Sequence, residues 1–431
     1  GVQGHHNGDS IADSSWTYGN YFKNYIIRGF LHMKKWLVAI ILVLTVCIPC
    51  LVEASAENLP NEDYIREELE RETQEQIKAL DTGEWDNFLK NAQADGNDLI
   101  EDIDAKSFIN KLVTGNFELD LKKILLQIIN LFFKEIKINL IFMAKIMVIA
   151  VICGILDHMK SSFTASSVGE LAWFACYTMV VILIVQSFTS ILEVGKNAME
   201  QIVNFVQVLF PIILTLLIAM GGITSSGILQ PVTALLVGTS GTVLKNIMIP
   251  LIFFSAVLVL VNNVSDKIKL DRLCSLTKNI CTWTLGIFFT IFVGVLSIQG
   301  ALAASFDGVS IRTAKYAVET FVPIVGGLFS KTVDMIIGCS LLVKNAVGIA
   351  GLITIVMIAL YPIIKILCLI AIYKISSAIL EPISDGRVSM CLNDIGDVLT
   401  VLFVTVAGMT IMFFLTITLL VGVGNIATMM R

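Results

Sequence analysis

The sequence has 431 residues, of which 56% are hydrophobic and 15% charged, and its formal net charge is −5. Soluble domains carry roughly 25% charged residues, so this chain has too few charges to cover a water-facing surface. Its mean hydropathy is +0.82, and its apolar residues occur in runs of about 20, long enough to cross a ~30 Å hydrocarbon core. The sequence has no block of basic residues that would indicate nucleic-acid binding. Composition therefore predicts an all-α, polytopic transmembrane helical protein.

The first 56 residues predict a leader rather than part of the fold. Residues 1–32 begin without Met and show no periodicity, and we interpret them as an upstream, non-native extension. The parts of a cleavable signal peptide follow, namely Met33-Lys34-Lys35, an apolar run and Ala54-Ser55-Ala56. They predict a signal peptide over 33–56 and a mature chain that begins at Glu57. An uncleaved anchor helix is the alternative.

A short acidic helical segment is predicted next, over residues 57–117. From Glu57 to Glu118, 17 Asp or Glu residues stand against six Lys or Arg residues. Asn61 is a suitable N-cap, and acidic residues are favoured in a first helical turn. Because it follows a signal peptide, the segment is expected outside the cytoplasm, either as a solvated spacer or as a docking site for an extracytoplasmic partner.

Residues 118–137 predict an amphipathic interfacial helix. Polar side chains recur there at steps of three and four between Ile, Leu and Phe residues, which gives one narrow polar stripe on a helix. The stripe consists of Lys123, Gln127, Asn130, Lys134 and Lys137.

A second and longer polar stripe, here called the seam, begins inside one apolar run and ends at the start of the next. Its seven residues step by four, three, four, three, four and three: Gln186, Ser190, Glu193, Asn197, Glu200, Asn204 and Gln207. A polar stripe on a membrane helix is costly unless it faces water or other polar groups. Two interpretations remain open, a face that lines a conduit and a face that packs against another helix.

Residues 138–431 predict a multi-span domain with about seven to nine crossings. The apolar runs are 138–156, 168–192, 206–222, 228–244, 247–263, 280–300, 321–343, 346–375 and 398–421. With the N-terminus outside and nine crossings, the basic loop from Asp266 to Lys278 lies in the cytoplasm, as the positive-inside bias requires. The same count places the acidic loop from Glu381 to Asp397 outside.

A weak internal repeat supports a competing organisation. A shift of 112 residues aligns Pro211 with Pro323 and Pro250 with Pro362. The repeat makes 234–263 a single proline-kinked helix and predicts inverted repeats, as in secondary transporters. Small-residue clusters at 221–227 and 238–242 indicate either close helix packing or a broken, re-entrant segment.

Few residues could carry chemistry. Lys331 and Asp334 are one helical turn apart in an apolar run and are predicted to form an intramembrane ion pair. Lys145, Lys344 and Lys365 lie nearer the middle or the ends of other spans, and a lysine can reach towards the interface from a span end. The predicted mature chain has one histidine, His158, and no hydrolase, zinc-protease or nucleotide-binding motif. We predict no enzyme activity, no cofactor, no metal site and no disulfide framework.

The order of these parts resembles the stage III sporulation protein AE family of endospore-forming bacteria. The resemblance covers about 34–431. It lies in the order of the segments and in three stretches, Gly83-Glu84-Trp85-Asp86, Phe210-Pro211-Ile212 leading into Gly221-Gly222, and Phe321-Val322-Pro323 leading into Gly326-Gly327. None of these stretches carries a known catalytic signature.

The resemblance implies a non-enzymatic component of the channel, or secretion-like complex, that joins the mother cell and the forespore. It implies a location in the mother-cell-derived membrane around the forespore and a requirement in spore development. The implied partners are other membrane and ring-forming proteins of the complex, its ATPase and a forespore membrane protein. A secondary transporter with inverted repeats is the alternative function.

Overall fold

The computed structural model describes residues 63–94, 104–115, 121–160, 166–264, 270–321, 326–383 and 386–429. The described residues from Tyr64 onwards belong to one compact unit. The predicted extension at 1–32 and signal peptide at 33–56 lie outside the described residues. All elements of the described residues are helical.

Three short helices precede the membrane domain: α1 (Asp63–Ala79), α2 (Gly83–Ala94) and α3 (Ala105–Val113). Asp104 caps α3, because its side chain accepts a hydrogen bond from the Ser107 backbone N–H. Asp86 ties α2 to α3 by accepting a bond of 2.7 Å from the Ala105 N–H. The acidic segment is therefore a folded helical unit.

This unit packs on the same chain. Trp85 of α2 is fully buried, and its ring lies 5.6 Å from the ring of Phe205 in an edge-on contact. The Cys339 thiol lies 3.7 Å from the Leu69 carbonyl oxygen of α1. Burial of a Trp is worth several kcal/mol, so the described part of the segment is not a free spacer. That it also docks an extracytoplasmic partner stays a prediction.

Longer helices form the rest of the described chain. They are α4 (Leu121–Lys160), α5 (Ser166–Ala219), α6 (Ile223–Val243), a π-helical turn (Leu244–Met248), α7 (Ile249–Asn262), α8 (Asp271–Phe321), α9 (Gly326–Leu380) and α10 (Gly386–Met429). Within the described residues, six helical stretches are long and apolar enough to cross a membrane, and the third combines α6, the π turn and α7.

The six candidate stretches of the described residues are fewer than the predicted seven to nine spans because several predicted spans join into single helices. The number of crossings itself stays a prediction. α5 contains 168–192 and 206–219 of the next predicted span, since Glu193, Met199 and Glu200 between them are good helix formers and no proline intervenes. α9 likewise runs through residues 344 and 345 without a break. No boundary separates the predicted interfacial helix from the first span either, because α4 continues through residue 137.

The two small-residue clusters have different roles. Gly221 has a φ of 88°, a left-handed conformation that favours glycine, and it makes the tight turn between α5 and α6. Gly241 lies against α5, where an added Cβ atom would be 3.2 Å from Val203 Cγ2. The first cluster therefore forms a turn, and the second permits close helix packing.

Proline explains the irregular turn between α6 and α7. Pro250 has no N–H to donate to the Asn246 carbonyl oxygen, and its ring crowds that oxygen. The π-helical turn at Leu244–Met248 ends just before this proline, and its wider hydrogen-bond ring accommodates the lost bond. Ile223–Asn262 is one helical stretch with a π-helical turn at Leu244–Met248, where the repeat hypothesis predicts a single proline-kinked helix over 234–263 and the nine-span prediction has two spans. The repeat itself stays a prediction.

The core of the membrane domain is the antiparallel pair α9 and α10, against which α4, α5 and α8 pack. Gly348 of α9 faces Val421 of α10, and Gly351 faces Leu209 of α5, so closely that no Cβ atom fits at either position. The outer sides of α4, α5 and α8 remain exposed and mostly apolar, as a lipid-facing surface requires.

Candidate functional site

All seven seam residues lie on the outer side of α5. Six of them are exposed, and Glu200 is half-buried. The opposite side of the helix is buried against the bundle through residues such as Ile191, Ala198 and Ile202. The seam therefore points away from the chain's own core.

The outer side of α5 changes character along its length. Ile182 and Val185 are exposed just before the seam, and Ile218 is exposed after it. The seam extends over 22 residues, from Gln186 to Gln207, which is about 30 Å of helix. Pro211 follows the seam and cannot donate a backbone hydrogen bond to the Gln207 carbonyl oxygen.

One seam residue has a charged partner within the chain. Glu200 forms an ion pair with Lys245 of the π-helical turn, and both side chains are partly exposed. The irregular turn thus neutralises one of the two acids of the seam. Glu193, in contrast, is exposed and has no ion pair within the described part of the chain.

A second polar cluster, here called the charge network, was not predicted from the sequence. It joins three helices through Lys278 of α8, Lys374 of α9, and Asn393, Asp394 and Asp397 of α10. Lys374 Nζ donates to Asp397 Oδ1 at 2.5 Å and to Asn393 Oδ1 at 2.7 Å. Lys278 Nζ lies 3.5 Å from Asp397 Oδ2 and 3.9 Å from Asp394 Oδ1.

The network is balanced and tightly packed. Two lysines face two aspartates, which is the arrangement that makes charges tolerable inside a membrane domain. Gly396 leaves room for the stem of Lys374, because an added Cβ atom would lie 3.1 Å from Lys374 Cε. Just beyond the network, Ser377 and Ser389 hydrogen-bond each other and each other's backbone carbonyls. These bonds fix α9 against α10.

The sequence did contain a signal for the network. Apolar residues that the structure buries follow helical spacing from Val388 through Ile395 to Leu399. That spacing places Asp394 and Asp397 inside α10. The sequence interpretation instead assigned both residues to a loop, because four acids lie close together in that region.

The network corrects the predicted topology. Lys278 and Asp397 were expected on opposite sides of the membrane, yet their charged groups are 3.5 Å apart. One crossing for each of the six stretches puts the α7–α8 and α9–α10 connections on the same side. The Arg387 guanidinium, which lies 4.5 Å from the centre of the Trp173 ring, brings the start of α5 to that same end.

The other predicted charges are distributed differently. Asp334 is exposed on α9, and the Lys331 side chain lies outside the described residues, so their ion pair stays a prediction. Lys344 does not reach towards solvent. It is fully buried, and its Nζ donates to the Val421 carbonyl oxygen at 2.7 Å, which holds α9 to α10. Lys365 Nζ lies 3.4 Å from the Tyr361 hydroxyl oxygen.

In the described part of the chain, no three His, Cys, Asp or Glu side chains are close enough together to hold a metal ion. The side chain of His158 lies outside the described residues.

The chain is similar to known proteins in two comparisons. The family model for stage III sporulation protein AE matches residues 103–424, a range that contains both the seam and the charge network. The chain is also 31% identical over 397 residues to the Stage III sporulation protein AE of Bacillus subtilis (strain 168). That similarity covers 92% of this chain and 99% of the relative. No solved structure matches the chain.

Proposed function

We propose, because the chain belongs to the stage III sporulation protein AE family, that it is a non-enzymatic component of the channel, or secretion-like complex, that links mother cell and forespore. It is a multi-pass membrane protein of sporulation. We further propose that it resides in the mother-cell-derived membrane around the forespore. Its proposed partners are other membrane and ring-forming proteins, an ATPase and a forespore membrane protein.

The seam is the observation that carries this proposal. Those exposed polar side chains of the seam that lie within the bilayer would face hydrocarbon if this chain were a lone protein in lipid. The end of the seam next to Phe205 instead lies beside Trp85 of the extracytoplasmic unit. An unpaired carboxylate such as that of Glu193 then costs on the order of a few kcal/mol. A subunit of a conduit avoids this cost, since water or polar partner surfaces cover the seam.

The orientation follows from the predicted leader and the helix order. A cleaved signal peptide leaves α1–α3 outside the cytoplasm, and six crossings then put the basic α7–α8 connection inside, as the positive-inside bias requires. The α9–α10 connection is inside as well. Impermeant thiol labelling of single cysteines checks this orientation: Glu84→Cys should label from outside and Ser275→Cys should not. The opposite pattern would reverse the topology.

Replacement of Asn197 and Asn204 together with leucine tests the proposed function. The pair is exposed, and the change leaves the Glu200–Lys245 ion pair intact, so we expect normal insertion and abundance but loss of sporulation. Glu200→Leu with Asn204→Leu should have the same effect. The matched control is Thr178→Leu with Thr215→Leu, two exposed positions of α5 outside the seam, which should sporulate. Normal sporulation of the Asn197/Asn204 variant would refute a functional seam.

A secondary transporter is the second candidate, and the charge network favours it. Paired lysines and aspartates inside a helical bundle occur in proton and ion pathways, and residues 234–263 have the interrupted helix that the repeat hypothesis predicts. A transporter acts alone in a membrane. Purified chain in proteoliposomes that carries a solute along an imposed proton gradient would favour this candidate over a complex subunit.

A further inference from the structure

The seam has the spacing of a surface that packs against another helix. Its alternating steps of four and three average 3.5 residues, the period at which two helices keep the same faces together by supercoiling. In a straight helix, residues spaced by 3.5 drift around the helix axis by about 20° per heptad. The polar residues of the seam nevertheless keep the 3.5-residue spacing over three heptads, from Gln186 to Gln207. No described helix of the chain covers this surface, because six of its seven residues are exposed.

The side chains of the seam suit a surface identical to itself. Four of the seven carry amides, namely Gln186, Asn197, Asn204 and Gln207, and an amide both donates and accepts hydrogen bonds. The hydroxyl of Ser190 does the same. Two identical seams in register can therefore satisfy each other, whereas a water-filled channel alone does not require a constant 3.5-residue period.

The charges of the seam permit such a contact. Lys245 of the same chain already neutralises Glu200, so this residue does not repel its counterpart in another copy. Glu193 is the exception, since it is exposed and has no ion pair within the described residues. Two copies in one membrane share one orientation, so their symmetry axis runs along the membrane normal and equal residue numbers meet at equal depth.

We propose that the seam is the contact surface between copies of this chain, which assemble with their α5 helices parallel around a common axis. The inference rests on the proposed function in that it names the partner of the same seam. Each Glu193 then faces its counterpart across the axis, and this repulsion opposes a dry contact at that depth. The contact between copies is therefore weakest at Glu193.

Cysteine cross-linking in membranes of sporulating cells tests this proposal. In a background whose native cysteines are replaced, Ser190→Cys, Asn197→Cys and Asn204→Cys should each give disulfide-linked dimers of the chain upon oxidation with copper phenanthroline. Thr178→Cys and Thr215→Cys, exposed on α5 outside the seam, should give several-fold less. Adding Glu193→Gln to Asn197→Cys should raise the dimer yield several-fold, because it removes the repulsion.

Three results would overturn the proposal: equal dimer yields at seam and control positions, cross-links only to a different protein, or a single-chain mass in native mass spectrometry of the extracted protein. The same strains separate this inference from the proposed function. If the Asn197/Asn204 leucine variant loses sporulation while the chain has a single-chain mass, the proposed function stands and self-association is refuted. If dimers form but that variant sporulates normally, self-association stands and a functional role of the seam in sporulation is refuted.

Discussion

The seam and the charge network are both polar surfaces in an apolar helical bundle, but they differ in whether the chain supplies their partners. In the network, Lys374 and Lys278 contact Asp397 directly, at 2.5 Å and 3.5 Å. In the seam, Lys245 pairs with Glu200, whereas Glu193 has no ion pair in the described part of the chain. The lysines and aspartates of the network are paired with one another within one chain, whereas the seam includes an acid with no ion pair in the described residues.

This difference separates structural from functional polar groups. A charge that is paired within the bundle fixes helices relative to one another, and its removal leaves a partner unpaired. A polar group on the outer side contributes little to the fold of its own chain but is costly in lipid. We therefore expect changes inside the bundle to lower stability and changes in the seam to stop function without unfolding the protein.

The largest loss of stability is expected for Trp85→Ala. The indole is fully buried between α2 and α5, and truncation of such a residue costs about 3–5 kcal/mol. Detergent-solubilised protein should unfold at a lower temperature, and α1–α3 should become sensitive to limited proteolysis. Glu84→Ala, an exposed neighbour, is the control. A Trp85→Ala variant with the melting temperature and protease resistance of the native chain would contradict the described docking.

Asp397→Leu should cause the next largest loss, because it leaves Lys374 and Lys278 without their shared carboxylate. Hydrogen bonds to charged groups contribute about 1.5–3 kcal/mol, and the free energy of unfolding should fall by about that amount. Lys374→Met combined with Asp397→Leu should recover part of the loss, since no unpaired charge remains next to α10. Glu381→Ala, exposed at the end of α9, serves as the control.

The outcome for Asp397 also tests the contrast between the two regions. If the single Asp397→Leu variant keeps native stability and the double variant is no better, the network does not fix the helices. It would then belong with the seam among the functional groups, and the transporter hypothesis would gain support.

The smallest effect is expected for Lys245→Met, which removes the ion pair with Glu200. Both side chains are more than a third exposed, and exposed pairs contribute about 0.2–1 kcal/mol. The loss should shrink at high salt, which screens exposed charges. A double-mutant cycle with Glu200→Gln should give a coupling energy of that size. A coupling above about 2 kcal/mol would mean that the pair is a structural element like the network.

Several features were predictable from the sequence because they depend on local composition and periodicity. The mean hydropathy and the long apolar runs predicted a helical membrane protein, which the six long helices confirm. Helical spacing alone also placed all seven seam residues on one side, since residues three and four apart share a helix face. The stretches around Trp85, Pro211 and Gly326 indicated the family, which the family match confirms.

Contacts between distant segments could be decided only by the tertiary structure. An apolar helix can continue through a polar residue such as Glu193 if the surroundings of that side chain are polar. Hydropathy does not show these surroundings, so it could not give the number of spans. Lys278 and Asp397 are 119 positions apart in sequence, and only folding brings them within 3.5 Å. Folding likewise brings together the rings of Trp85 and Phe205, which belong to distant segments. Sequence determines which groups share a helix face, but three-dimensional packing determines which of those groups already have partners.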